Sequence, residues 1–279
     1  MAHSGIQGKP IAVGRTGEIY AWDDERVMKL YRENSSREYV ARELRVSGIA
    51  HQLGLPAPAV HRSESQDGLW EVDGRLGILY DWVDGPTMLR DLVKRPWMLV
   101  THSKALAALH AHVHTAPGEG LPDLRERIEW ILGCADDLLS DELRSAAHTA
   151  LTGLPVGNRV CHGDFHPDNI LLQEGGPIIV DWGPASSGHP AADVAWTYLL
   201  YTMVGKPIDA SFGMRIILTF IRRLSLWIYL RTYSALTGTT WKDVAQWLGV
   251  IAVLRLADRI PEEREQLLRL IEHELGAGT

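Results

Sequence analysis

The stretch Val160-Cys161-His162-Gly163-Asp164-Phe165-His166-Pro167-Asp168-Asn169 limits what this 279-residue chain can become more than any other part of it. It is polar and crowded with turn formers, yet apolar strand-like segments lie on either side. Within it His162, Asp164 and Asn169 stand in the spacing H-x-D-x-x-x-x-N. Phosphoryl transfer uses such parts: a carboxylate to receive and orient an attacking hydroxyl, and an amide oxygen a few residues on to hold a metal ion. A second carboxylate follows, where Asp181 closes the apolar run Ile178-Ile179-Val180 ahead of Trp182-Gly183. A charge at the end of a buried strand is costly unless a cation or donors meet it. A Mg2+ ion bridging nucleotide phosphates, with Asn169 as a neighbouring ligand, would do so.

The texture of the chain changes once. Residues 11–82 read mostly as short strands (11–13, 18–22, 26–31, 59–64, 69–72 and 76–82), separated by turns such as Asp23-Asp24, Asp67-Gly68 and Asp73-Gly74. One helix interrupts them over about 36–53, capped by Ser35 or Ser36 and stopped by Gly54, Pro56 and Pro58. After Gly85-Pro86 the pattern predicts helices at 98–115, 123–139, 141–151, 191–203, 212–235, 241–256 and 261–275. The exception is a hairpin over 159–182, where apolar triplets flank Glu174-Gly175-Gly176-Pro177. The expected fold is α+β, with a strand-rich lobe over 1–82, a larger helical lobe over 83–279, a hinge near 80–85 and a cleft between the lobes.

HGDFHPDN followed by IIVDWGPASSGHPAADVAW resembles the aminoglycoside phosphotransferase and choline kinase-like family, distant relatives of protein kinases. The resemblance covers most of the chain and is strongest over 158–197. It implies a bilobal protein-kinase-like fold, ATP or GTP, Mg2+, and phosphorylation of a hydroxyl on a small molecule, either an antibiotic or a metabolite. Residue by residue it implies Asp164 as catalytic base, Asn169 and Asp181 as metal ligands, and Asp193 as a brace for the catalytic loop. His166 belongs to the signature without a physical role of its own.

The N-terminal half can be held against that resemblance. Strand alternation puts Lys29 on one face with Val27 and Tyr31, where an ammonium needs an anionic partner such as nucleotide phosphates. The family implies a helix glutamate to pair with it. Glu38, Arg42 and Arg45 form a polar stripe, whereas Tyr39, Glu43, Val46 and Ala50 form a largely apolar one, so Glu43 is the better partner. Gly14, Thr16 and Gly17 would cover phosphates with backbone N–H groups, although Gly14-Arg15-Thr16-Gly17 is neither G-x-G-x-x-G nor a Walker A sequence. Over 78–85 the resemblance implies a hinge, with Tyr80 as gatekeeper and the adenine edge on backbone groups of Asp81 and Val83.

Other readings are blander. His110 and His114 have the spacing of a helical metal pair, but no acidic or cysteine third ligand is near in sequence. We read them as core or cleft histidines satisfied by hydrogen bonds. Trp227, Tyr229, Tyr233, Trp241 and Trp247 read as helical core, some of it able to line a pocket, and Arg222, Arg223 and Arg231 as a solvated face. Two cysteines, Cys134 and Cys161, fit a reducing cytosol. The N-terminus lacks the apolar core of a signal peptide, and no run of 18 apolar residues occurs, so the expectation is a soluble cytoplasmic protein. A net charge of −7 argues against nucleic-acid and membrane partners. Residues 200–279, with 10 basic and 8 acidic side chains and many aromatics, mildly disfavour a strongly cationic acceptor, although Asp136, Asp137 or Asp193 would offset that if they reached the pocket. The alternative to an enzyme is a nucleotide-binding regulatory protein of the same fold acting through a protein partner. The filled catalytic positions argue against it. A protein kinase ranks lower still: Gly163 replaces the arginine of H-R-D, and no A-P-E follows Asp181.

Overall fold

The computed structural model describes residues 6–135, 137–203 and 212–276. The chain divides into two compact units, Met1–Arg90 with Asp168–Pro184, and Asp91–Pro167 with Ala185–Thr279.

The first unit is built on an antiparallel sheet: β1 (Gln7–Val13), β2 (Gly17–Ala21), β3 (Arg26–Tyr31), β4 (Val60–His61), β5 (Trp70–Val72) and β6 (Arg75–Asp81). The order is β1-β2-β3-β6-β4, with β5 also pairing β6. Helix α1 (Arg37–Gln52) follows β3. It starts where the Ser36 hydroxyl accepts the Tyr39 N–H, and it ends where Gly54 takes a φ of 73°, which a side chain would disfavour. Its buried positions, among them Val40, Glu43, Leu44 and Ser47, follow the three-to-four-residue repeat of an amphipathic helix. Tyr39, expected on the packed stripe, is exposed instead, its ring edge set against Tyr31. Val40 and Leu44 pack with Tyr31, Leu69 and Ile78 on the α1 side of the sheet, while Met28, Leu30, Val72 and Leu79 pack on the other side. Each such burial stabilises by roughly 1.5–3 kcal/mol.

The first stretch of the first unit ends within a short helix, α2 (Met88–Lys94), absent from the sequence reading. The second unit then runs through α3 (Leu99–Val113), α4 (Leu124–Gly133), α5 (Asp141–Gly153) and strand β7 (Arg159–Cys161). The hairpin of β8 (Ile170–Gln173) and β9 (Gly176–Ile179) belongs to the first unit and has the turn expected for it. The second unit resumes with β10 (Ser186–Gly188), which pairs with β7, and with α6 (Pro190–Met203) and α7 (Phe212–Thr237). The helix expected over 241–256 is two helices, α8 (Trp241–Ala245) and α9 (Leu248–Leu256), the first opened by a capping box of Thr240 and Asp243. Helix α10 (Pro261–Leu275) closes the described chain. No helix among the described residues is long and apolar enough to cross a membrane.

Candidate active site

In the first unit, β3 sets Lys29 opposite Ile19 and Ile78, on the face that α1 covers. Its ammonium lies 2.6 Å from Glu43 Oε1 and 2.8 Å from Asp181 Oδ1, so residues 152 positions apart meet on one cation. Lys29 is 9% exposed and Glu43 1%. Burial pulls the ammonium down, but the two carboxylates overcome it, and Lys29 stays well above the ordinary lysine range. Glu43 Oε1 also accepts from the Tyr80 hydroxyl at 3.3 Å, and Tyr80 lies 3.4 Å from the Ser47 hydroxyl. Tyr80 thus faces α1, and burial holds its phenol far above the usual range.

Asp181 follows β9 with a φ of 64°, a left-handed conformation that aspartate tolerates better than most residues. Its side chain is 39% exposed. Lys29 takes Oδ1, leaving Oδ2 as an oxygen donor. Asn169 precedes β8, and its carbonyl accepts the Val180 N–H at 2.9 Å, so Asn169 and Asp181 share the open end of one hairpin. A carboxylate oxygen and an amide oxygen at a partly exposed position suit a hard divalent ion that retains water and takes further oxygens from phosphate. Gly183 is required here, because a Cβ on it would stand 2.7 Å from Glu43 Oε2.

The glycine turn is closed by backbone hydrogen bonds. The Gly14 N–H donates to the Gly17 carbonyl at 2.8 Å, and the Thr16 carbonyl accepts the Arg32 N–H at 3.1 Å. Gly17 is glycine because a Cβ there would lie 2.5 Å from the Leu30 carbonyl on the neighbouring strand. At the end of β6 the Asp81 N–H donates to the Ala59 carbonyl at 3.1 Å and the Trp82 N–H to the Glu25 carbonyl at 2.7 Å. The Asp81 carboxylate meets His61 Nε2 at 2.6 Å.

In the second unit, Asp164 lies between a glycine with a φ of 75° and the fully buried Phe165. Asp193, on α6, accepts the Gly163 N–H on Oδ1 at 2.9 Å and the His162 N–H on Oδ2 at 2.5 Å, which is the brace expected of it. The Thr197 hydroxyl, one turn further along α6, donates to the Phe165 carbonyl at 2.9 Å. His166 Nε2 lies 3.5 Å from Asp164 Oδ2, both side chains partly exposed.

The buried histidines complete this second group. His110 of α3 and His114 at its C-cap reach Asp193 Oδ2 through Nε2 at 3.0 and 3.2 Å. Their Nδ1 atoms lie 2.6 and 2.7 Å from the hydroxyls of Tyr229 and Tyr233 on α7. Burial, with His114 alongside, pushes His110 down to about 3, so it serves as a neutral N–H donor. Burial alone would raise the Asp193 carboxyl, but the His110 and His114 contacts hold it well below the usual carboxylate range. The acidic neighbour that the sequence lacked is therefore Asp193, whose Oδ2 meets both Nε2 atoms. The histidines are satisfied by hydrogen bonds, as read from sequence.

A family model described as the phosphotransferase enzyme family matches residues 7–231. The chain belongs to that family. No curated protein matches this phosphotransferase in sequence. Solved structures of similar fold include the apo form of a thermostable mutant of the aminoglycoside phosphotransferase APH(4)-Ia (16% identity, 98% of this chain and 96% of that chain, TM-score 0.65). Another is that protein's mutant in ternary complex with ADP and hygromycin B (14%, 97% and 94%, TM-score 0.66). A third is the macrolide 2'-phosphotransferase MphH from Brachybacterium faecium, as apoenzyme (16%, 95% and 93%, TM-score 0.54). The phosphotransferase thus has the protein-kinase-like fold expected of its sequence.

Some side chains are placed differently from the sequence reading. Tyr229, Tyr233 and Trp247 are core, as expected, but Trp227 and Trp241 are about half exposed. Trp227 carries the Arg231 guanidinium over its ring, and Trp241 leans on Tyr198. Asp137 pairs with Arg259 at 2.7 Å, and Asp136 lies outside the described residues. The sequence reading missed the partnership of Tyr229 and Tyr233 with the histidines. Its trace is the matching four-residue spacing of His110/His114 and Tyr229/Tyr233.

Proposed function

We propose that this phosphotransferase moves the γ-phosphoryl group of ATP, or of GTP, to a hydroxyl of a small molecule in the cytoplasm, with Mg2+ as the divalent ion. The observation that carries this reading is the meeting of Glu43 and Asp181 on the one ammonium of Lys29. Lys29 would hold the α- and β-phosphates, oriented by Glu43. Asn169 and Asp181 would hold the ion, which supplies neutralisation of charge developing between the phosphates. The Asp81 N–H is already bonded, so Asp81 would offer adenine its carbonyl and Val83 its N–H. The turn of Gly14, Thr16 and Gly17 would close over the phosphates through the N–H groups of Arg15 and Thr16, because Gly14 spends its own on Gly17.

Asp164 would orient the acceptor hydroxyl and receive its proton. The transition state is loose, so positioning and charge neutralisation outweigh base strength. The hygromycin B, kanamycin and macrolide names attached to structures of this fold make an antibiotic a natural first acceptor class, with a hydroxylated metabolite as the other. The test is Asp164→Ala, assayed for nucleotide consumption across a panel of hydroxylated antibiotics and metabolites. It is expected to lower kcat by about 10²–10⁴ with nucleotide affinity little changed. Unaltered turnover on the acceptor used by the parent enzyme would refute the assignment.

A further inference from the structure

Asp164 is fixed from both sides by groups that meet at one side chain. On its N-terminal side the N–H groups of His162 and Gly163 are held by Asp193, and Asp193 is held in turn by His110. On its C-terminal side the Phe165 ring stacks on the His110 imidazole, centroids 3.9 Å apart and planes 14° from parallel. His110 is fully buried, and the Asp193 carboxylate, which can only accept, fixes Nε2 as the nitrogen that carries the proton and leaves Nδ1 to the Tyr229 hydroxyl at 2.6 Å. His114 gives the natural contrast. It shares the Asp193 oxygen and has its own tyrosine, yet its ring contacts are with His110 and Tyr233.

We propose that His110 is a positioning residue for phosphoryl transfer, setting the backbone on either side of Asp164 through Asp193 and through the Phe165 ring. The proposal rests on the reading of Asp164 as the base. Its physical content is that a carboxylate displaced by a fraction of an ångström no longer meets the acceptor hydroxyl at hydrogen-bond distance. Misplacements of about 1 Å cost on the order of 10²-fold in rate. Nucleotide contacts, assigned to residues of the first unit, would be untouched.

Two substitutions separate the two routes. His110→Phe keeps a ring against Phe165 and removes the donor to Asp193. His110→Gln keeps an N–H for Asp193 and removes the ring. His114→Gln, which keeps an N–H for Asp193 at a ring that does not touch Phe165, is the control, and Tyr229→Phe, lacking one oxygen, is the gentlest perturbation. For each variant, kcat and nucleotide KM are measured per folded molecule, with melting temperature and metal content recorded alongside.

The expected result is a fall in kcat of about tenfold for either His110 variant and about threefold for Tyr229→Phe, with nucleotide KM within about twofold of the parent. His114→Gln should lose melting temperature to a similar extent while keeping kcat within about threefold. Equal losses of kcat in His110→Gln and His114→Gln, or full kcat per folded molecule in the His110 variants, would overturn the proposal. So would one equivalent of tightly bound transition metal that His110→Gln releases. Asp164→Ala measured in parallel distinguishes the two failures. If it stays active, the base assignment falls; if it is inactive while the His110 variants are not, only the positioning role falls.

Discussion

Replacing Lys29 by methionine would leave Glu43 buried with one neutral partner, the Tyr80 hydroxyl at 3.3 Å. At the 2.6 Å separation of Lys29 and Glu43, with an effective dielectric constant near 20, the gross attraction lost is about 6 kcal/mol. The ammonium no longer has to be desolvated, which offsets part of that, and removing one member of such a pair typically costs about 3–5 kcal/mol. Asp181 adds little to this sum, because its 39% exposure leaves it screened by solvent. For domains of this size each kcal/mol shifts the melting temperature by about 2–4 °C, so Lys29→Met should melt about 10 °C lower. The double variant Lys29→Met/Glu43→Gln removes the orphaned charge and should return to within about 2 kcal/mol of the parent. Activity should not return with it, since neither variant has an ammonium for the phosphates. Differential scanning calorimetry with a turnover assay on the same samples measures both. A double variant no more stable than Lys29→Met would show that the cost does not arise from a stranded Glu43. Recovery of activity along with stability would remove Lys29 from phosphate binding.

Three smaller predictions follow from the same geometry. Because the folded pKa of His110 is depressed to about 3, the unfolded chain takes up a proton that the native state refuses as pH falls through 6.5. Stability from this histidine is complete above that pH and declines below it by about 2 kcal/mol at pH 5. Asp193, depressed as well, adds loss only below the ordinary carboxylate range. Chemical denaturation between pH 7 and 5 should show that slope in the parent and a shallower one in His110→Phe. Gly17→Ala should destabilise by about 1–3 kcal/mol, since its Cβ would meet the Leu30 carbonyl at 2.5 Å, whereas Gly14→Ala, with its nearest contact at 3.6 Å, should melt within about 2 °C of the parent. Gly183→Ala should cost a similar amount and weaken nucleotide affinity, because it crowds the Glu43 carboxylate that holds Lys29; a melting curve and a nucleotide titration of each variant check these values.

The legible parts of this chain were those written in local alternation. Strands from 11 to 82 could be read because apolar and polar residues alternate between Gly and Asp turns, and Glu43 could be picked out because it is the one charge on an otherwise apolar helical stripe. Tyr39 was misplaced for a physical reason. An amphipathic tyrosine can end a stripe with its ring edge on Tyr31 and the rest of it in water, and periodicity alone does not distinguish that from burial. The helix expected over 241–256 is broken at Gln246 and Trp247, between a short helix opened by its own capping box and a second, fully buried one, and apolar content continues across such a break. Least legible was the contact between His110 and Asp193, 83 residues apart in the chain. The four-residue spacing was read as a hydrogen-bonded core pair, but nothing near it in sequence named Asp193 as the partner.

Two buried carboxylates illustrate why those two pairings differ in kind. Glu43 is held by a full charge, Lys29, and on the proposed reading a phosphate competes for that same ammonium. Its partner is shared with a ligand, so binding must redistribute the contacts of Lys29 among Glu43, Asp181 and the nucleotide. Asp193 is held by four N–H donors, two from imidazoles and two from the backbone. On the proposed reading none of those donors meets a ligand. A carboxylate held in this way keeps its partners when a highly charged nucleotide arrives. A chain that must place one aspartate reproducibly while phosphates come and go gains by keeping the fixed contacts on one set of residues and the exchangeable ones on another. The two sets here have no residue in common.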